Sequence, residues 1–348
     1  MSYKQTKVWN VDNLNDGYTS DPDIKEAALW IKQGEAVAFP TETVYGLGAD
    51  ATSDSAVEKI FKAKGRPGDN PLIVHIGSKK QLTDFVAFIP RMAEVLIKEF
   101  WPGPLTLIFP KRANVSEKVT AGLGTVAVRM PDHVVARALL KEAELPVAAP
   151  SANQSGRPSP TKAQHVYHDL HGRIAGIVDG GPSGFGLEST VVDCTGDIAW
   201  ILRPGGVTKE QLESVLGEGS VRIESKKQKS HHAPKAPGMK YRHYAPDSPL
   251  VLVEDTKSLQ QNLQEAKETG RKTVVMAVNE HQAMLEQDTD AFICLGSMNK
   301  LEQIAAHLYD NLRQADQWDA DIIFCETFPK EGIGEAIMNR LEKASFQS

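Results

Sequence analysis

Glu35-Ala-Val-Ala-Phe39-Pro-Thr-Glu-Thr-Val-Tyr-Gly-Leu-Gly48 passes from a short apolar run into a polar segment with two glycines, and what flanks it decides the fold. On its N-terminal side Asp21-Pro22 offers a helix N-cap followed by proline at the first helical position. Ile24, Ala27, Ala28 and Ile31 then recur at helical spacing, and Gly34 ends the run. Glu35 to Phe39 reads as a strand that delivers Thr41 and Thr43 into a turn. On the C-terminal side Ser53 to Ala63 reads as a second helix, with Ala56, Val57, Ile60 and Phe61 on one face. It breaks at Gly65-Arg66-Pro67, which puts Lys62, Lys64 and Arg66 at an exposed helix end. Further strand-like runs lie at 72–76, 105–109, 125–130, 146–149, 176–179 and 189–193. They are too many and too short for a helical fold, and they predict an α/β domain built on a twisted sheet of mixed strand direction.

The last hundred residues follow a simpler rhythm. Buried-strand runs at 249–253, 273–278, 291–295 and 321–325 have helical patterns between them, which implies parallel crossovers and a small doubly wound, Rossmann-like domain. No G-x-G-x-x-G follows its first strand, so no nucleotide is placed there and a regulatory or lid-supporting role is expected.

Composition excludes several classes. With 348 residues, 41% hydrophobic and 24% charged, the chain can bury two cores. No apolar stretch reaches membrane-spanning length and the first residues carry no signal-peptide core, so a cytoplasmic protein is expected. Cys194, Cys294 and Cys325 lack disulfide or zinc spacing and read as small core residues. Lys and Arg against Asp and Glu give −3 over residues 1–221, +6 over 222–245 and −9 over 246–348. The basic piece, followed through to Pro246, holds three prolines and few apolar residues, the composition of a linker. The expected division is a catalytic domain at 1–217, a basic linker at 218–247 and a C-terminal domain at 248–348.

Four segments look built to hold phosphates: 40–48, 62–72, 150–156 and 180–190, each rich in Gly, Ser, Thr or paired cations. Lys64 and Arg66 beside Asp69-Asn70 read as phosphate contacts, against the plainer reading of a solvated helix end. Arg129 lies inside an apolar strand, where clamping a carboxylate competes with a buried salt bridge. Ser151 and Asn153 could merely cap a turn, and Ser189 and Thr190 could be ordinary strand-edge hydroxyls. The linker has two readings as well. Its lysines, Lys226-Lys-Gln-Lys229 among them, suit a tether or an arm that attracts a phosphate backbone, whereas Lys240-Tyr-Arg-His-Tyr244 mixes rings with cations and suits a lid over a bound nucleotide through Tyr241 or His243, which is the preferred reading.

Taken in order, Phe39-Pro-Thr-Glu-Thr-Val-Tyr-Gly-Leu-Gly48, Lys62-Ala-Lys-Gly-Arg-Pro67, Asn70-Pro-Leu-Ile-Val-His75, Trp101-Pro-Gly-Pro-Leu-Thr106, Val128-Arg-Met-Pro131, Ala149-Pro-Ser-Ala-Asn153, Glu188-Ser-Thr190, Arg203-Pro-Gly205 and Ala236-Pro-Gly-Met-Lys-Tyr-Arg-His-Tyr-Ala-Pro246 resemble the YrdC-type threonylcarbamoyl-AMP synthases. The YrdC-like part covers about the first two thirds of the chain, and the tail is similar to the extra domain of the long members. The resemblance implies a nucleotidyltransferase that joins L-threonine, bicarbonate and ATP into threonylcarbamoyl-AMP and pyrophosphate. That product would pass to the threonylcarbamoyl transferase machinery for threonylcarbamoyladenosine at tRNA position 37. The resemblance further implies Lys64 and Arg66 as the catalytic pair and ATP contacts at Arg66, Asn70, Thr125, Ser151, Asn153, Ser159, Arg203 and His243. Threonine would meet Thr43, His75, Arg129, Ala149 and Ser189. Mg2+ would come with ATP, held by substrate oxygens and water, with no protein metal site. The chemistry needs orientation and charge rather than an enzyme nucleophile. Weak tRNA contact is a further expected partner; the alternative is an RNA-binding module without turnover, marked by salt-sensitive tRNA binding.

Overall fold

Asp21 caps the helix Pro22–Lys32, its carboxylate accepting from the amides of Asp23 at 2.8 Å and Ile24 at 3.0 Å. Ile24, Ala27, Ala28 and Ile31 are buried, as their spacing requires. Ser53 caps the helix Asp54–Lys64 in the same way, accepting from Ala56 at 3.3 Å, and Gly65 closes it at φ 63°, a left-handed turn that glycine adopts without strain. The computed structural model describes residue 3 and residues 5–11, 21–224 and 243–345. They divide into two units. The first takes the described residues of 1–155, 160–184 and 188–240, and the second those of 156–159, 185–187 and 241–348.

The first unit carries one sheet of eleven strands among its described residues. These are β1 (Lys7–Asn10), β2 (Val37–Phe39), β3 (Gly46–Asp50), β4 (Ile73–His75), β5 (Leu105–Pro110), β6 (Thr125–Arg129), β7 (Val147–Ala148), β8 (Gly176–Asp179), β9 (Thr190–Asp193), β10 (Ala199–Arg203) and β11 (Val221–Ile223). Their spatial order is β1-β8-β2-β3-β7-β4-β6-β5-β9-β10-β11. Parallel pairs such as β4 with β6 and β5 with β9 alternate with antiparallel pairs such as β3 with β7 and β5 with β6, so the direction is mixed as expected.

Side chains alternate across the sheet and so divide its packing between two faces. Leu47, Val74, Leu107, Val128 and Val192 belong to the largest core on one face. On the other, Val37, Phe39, Val147 and Val178 pack with Ile24 and Ile31 of the first helix and with Leu139 of the helix Val134–Ala143. This second face continues onto β4, β6, β5 and β9, where Ile73, Ala127, Ile108 and Val191 form a smaller cluster of their own.

Three expectations are corrected. Gly46 and Gly48 lie in strand β3 rather than in an anion-cradling loop. A Cβ on Gly48 would stand 2.7 Å from both Phe39 Cε1 and Val147 Cγ1, so this glycine makes room for a buried ring. Gly48→Ala is expected to destabilise the chain by about 1–3 kcal/mol through overpacking, measured as a lower denaturant midpoint. Val221–Ile223, placed by sequence in the linker, is instead the last strand of the sheet, paired in parallel with β10. Cys294 is exposed, whereas Cys194 and Cys325 are buried as expected.

The second unit contains β12 (Leu250–Val253), β13 (Thr273–Ala277), β14 (Ala291–Cys294) and β15 (Ile322–Glu326), all parallel in the order β12-β15-β13-β14. The helices Thr256–Glu268 and Leu301–Asp316 make two of its crossovers, as a doubly wound domain requires. Between β13 and β14 there are only short turns of helix, of which Gln282–Leu285 is the α-helical one. Among the described residues no helix is long and apolar enough to cross a membrane.

Candidate active site

Strand register sets four polar side chains in a row. His75 of β4 pairs with Arg129 of β6, Arg129 with Thr106 of β5, and Thr106 with Val191 of β9, which faces Arg203 of β10. A bulge between Ile201 and Arg203 shifts the pairing there by one residue and re-aims Arg203. Cross-strand partners share a face, so the row borders the small apolar floor of Ile73, Ala127 and Ile108.

Arg129 is buried, and its three nitrogens are directed apart. Nε donates to Gly103 O at 3.2 Å, Nη1 donates to Thr43 Oγ1 at 2.7 Å, and Nη2 stands 2.6 Å from Glu42 Oε1. The buried salt bridge weighed against a carboxylate clamp is therefore present. It is an ion pair without a hydrogen bond: the contact lies off the N–H direction, and among the described residues Nη2 and both Glu42 oxygens lack a hydrogen-bond partner. Each buried polar group left so costs about 1–3 kcal/mol, which makes the arrangement open to a ligand. Thr43 Oγ1 also meets Thr41 Oγ1 at 2.8 Å. His75 is buried beside Arg129, and burial together with that charge pushes its pKa down to about 3. The neutral ring donates from Nδ1 to Ile73 O at 3.3 Å, which leaves Nε2 as an acceptor.

Lys64 overturns the expectation of an exposed helix end. It is 2% exposed, and its ammonium donates to Ser151 O at 2.5 Å, Asn153 O at 2.6 Å and Asn153 Oδ1 at 3.3 Å. These oxygens compensate the buried charge, so the residue ties the helix Asp54–Lys64 to the 151–153 turn. Ser151 Oγ donates to Asn153 Oδ1 at 2.6 Å within that turn. Arg66 is half-buried and donates from Nη2 to Asn70 O at 3.3 Å and Pro71 O at 3.2 Å. Asn70 is 1% exposed, yet neither its Oδ1 nor its Nδ2 finds a hydrogen-bond partner among the described residues.

Arg203 joins the residues expected for ATP to those expected for threonine. Its Nη2 donates to Ser189 O at 2.9 Å and reaches Ser189 Oγ at 3.1 Å, while Ser189 Oγ meets Thr106 Oγ1 at 2.7 Å. Thr190 Oγ1 is spent on Val207, donating to its carbonyl at 2.5 Å and accepting from its amide at 2.9 Å, so this hydroxyl is structural. Ala149 donates its amide to Ile73 O at 2.9 Å, and Thr125 opens β6 half-buried. Ser159 and His243 fall in the second unit. There the His243 ring lies 5.6 Å from that of Tyr244, which packs 5.3 Å from Tyr309. Tyr241, Lys240 and the Lys226–Lys229 stretch lie outside the described residues.

The family described as telomere recombination, that of the Sua5, YciO and YrdC proteins, matches residues 30–205. The threonylcarbamoyl-AMP synthase C-terminal domain matches residues 207–345. A threonylcarbamoyl-AMP synthase of Bacillus subtilis is 52% identical over 343 residues, covering 98% of each chain. The chain belongs to the threonylcarbamoyl-AMP synthase family. Its Pyrococcus abyssi relative of the same name is 48% identical over 92% of this chain and 94% of its own. The crystal structure of P. abyssi Sua5 complexed with L-threonine superposes with a TM-score of 0.90 at 46% identity, covering 98% of both chains.

Two polar residues of this synthase-family site escaped the sequence reading. Glu42 was visible inside the 40–48 motif, and a lone acid next to a threonine expected to meet substrate was the signal for it. Thr106 closes the Trp101–Thr106 motif, but only strand register shows that it stands beside Arg129 and Ser189.

Proposed function

We infer that this chain is an enzyme of the nucleotidyltransferase kind that converts L-threonine, bicarbonate and ATP into L-threonylcarbamoyl-AMP and pyrophosphate, for threonylcarbamoyladenosine at position 37 of tRNA. One observation carries the reading: relatives named for this synthesis align with the chain across both of its domains. The rival, an RNA-binding module without turnover, has no such support.

The row on the second sheet face suits an amino acid. Arg129 faces the α-carboxylate, Thr43 and Ser189 add hydroxyls, Ala149 borders the amine, and neutral His75 accepts the threonine hydroxyl at Nε2. That L-threonine is bound by P. abyssi Sua5 supports this ligand. ATP is held in the first unit by Arg66, Asn70, Thr125, Ser151, Asn153 and Arg203. The carbamate oxygen of N-carboxythreonine attacks the α-phosphorus, pyrophosphate departs, and Arg66 stabilises the charge that gathers on the phosphates, while Lys64, its donors held by Ser151 and Asn153, adds its positive charge and fixes the 151–153 turn. Mg2+ enters only as the companion of ATP, held by phosphate oxygens and water. The product is proposed to pass to a threonylcarbamoyl transferase in the cytoplasm.

The test is pyrophosphate release from ATP by the full chain, with threonine and bicarbonate each added or withheld. Release that needs both establishes the reaction. Salt-sensitive tRNA binding with no release would instead leave the RNA-binding reading standing.

A further inference from the structure

Carbamoylation has a requirement that the proposed ligand contacts leave unmet. Threonine enters as an ammonium ion, whose nitrogen has no lone pair until it gives up a proton. A proton acceptor must therefore stand beside it. His75 is unsuited, because burial and the neighbouring Arg129 charge hold its pKa near 3. Glu42 has the required properties. Both of its carboxylate oxygens are out of solvent and accept no hydrogen bond among the described residues, and Oε1 stands 2.6 Å from Arg129 Nη2 without bonding it. Among the described residues, Arg129 of β6 and His133, just before the helix Val134–Ala143, are charged or titratable groups that act on Glu42. Burial pushes the His133 imidazole below its usual range, against the pull of Glu42 and Asp132, and its Nδ1 is likewise unbonded.

An unbonded Arg–Glu pair matches a zwitterion. A free α-amino acid carries a carboxylate and an ammonium one carbon apart, and when inserted between Arg129 and Glu42 it gives each charge an opposite partner. We propose that Glu42 receives the threonine ammonium and takes its proton as the nitrogen attacks the carbon of bicarbonate. The step balances: the N–H electron pair becomes the N–C bond, one ammonium proton ends on Glu42, and the tetrahedral adduct loses a carbon–oxygen bond to release water. The products are the carbamate anion, water and protonated Glu42 from one ammonium, one bicarbonate and one carboxylate. This rests on the synthase reading above.

The test uses the full chain with saturating ATP, threonine and bicarbonate, and measures threonylcarbamoyl-AMP formation by Glu42→Gln relative to the unaltered protein from pH 6 to 9. Taking the ratio at each pH cancels changes in the bicarbonate pool. The variant is expected to be slower by about 10²–10⁴-fold at neutral pH, the usual weight of a positioned acid or base. Its ratio should climb about tenfold per pH unit, as solution rather than Glu42 removes the ammonium proton. ATP affinity by calorimetry stays unchanged and certifies the fold. A second variant, Glu42→Ala, should recover turnover with added formate, which supplies the missing carboxylate. A ratio that stays level with pH, or no rescue by formate, overturns the proposal and leaves Glu42 as a structural counter-ion of Arg129. Failure of the unaltered protein to form the product would instead overturn the function itself.

Discussion

Arg66→Ala is expected to slow threonine-dependent pyrophosphate release by about 10²–10³-fold, a loss of about 3–4 kcal/mol of transition-state stabilisation, while leaving the thermal transition in place. The half-buried guanidinium donates to Asn70 O and Pro71 O, carbonyls within five residues of it, so these bonds are local and their loss spares the rest of the fold. Lys64→Ala should behave differently. Its ammonium serves oxygens of Ser151 and Asn153, and the variant leaves carbonyls at a buried site without their donor. We expect loss of activity together with a stability loss of about 1–3 kcal/mol, read by calorimetry alongside the pyrophosphate assay. If Lys64→Ala keeps the full thermal transition, the tie between helix and turn is not what the geometry indicates.

Arg129→Lys should weaken threonine by about 2 kcal/mol, roughly thirtyfold, and ATP far less. The planar fork of arginine reaches Gly103, Thr43 and Glu42 at once, and a carboxylate arriving at Nη2 meets a donor that is not yet bonded. Lysine offers a point charge that cannot serve these partners together. Titration calorimetry separates the outcomes. An equal loss for both ligands marks the residue as a structural half of the ion pair alone.

Local signals were legible wherever neighbours in sequence are neighbours in space. Asp21, Ser53, Gly34 and Gly65 set helix ends through contacts within a turn, and continuous apolar runs marked β4, β5, β6, β8 and all four strands of the second sheet. Strand β3 was hidden by Gly46 and Gly48, residues that weaken strand propensity, although Gly48 is needed under Phe39. At the margins, β1 and β11 are short and half exposed, and their pairing with β8 and β10 cannot be read locally. The same limit governs the site. His75 entered only through the family resemblance, whereas Arg129 stood out as a charged residue in an apolar strand. The burial of Lys64 did not, because its compensating oxygens lie 87 and 89 residues away.

The row of His75, Arg129 and Thr106 on three adjacent strands has a consequence for change in chain length. Position along a strand fixes which side a residue faces only up to odd or even count. Substitution alters one member of the row, whereas a single inserted or deleted residue within β4, β5 or β6 reverses a whole strand. Such an event in β6 would exchange Arg129 with Val128, driving a guanidinium among Val74, Leu107 and Val192 and turning an aliphatic side chain into its place in the row. Inheritance of this site thus constrains the spacing of the strands as firmly as their residues. Variation in length is free to accumulate only where the chain turns.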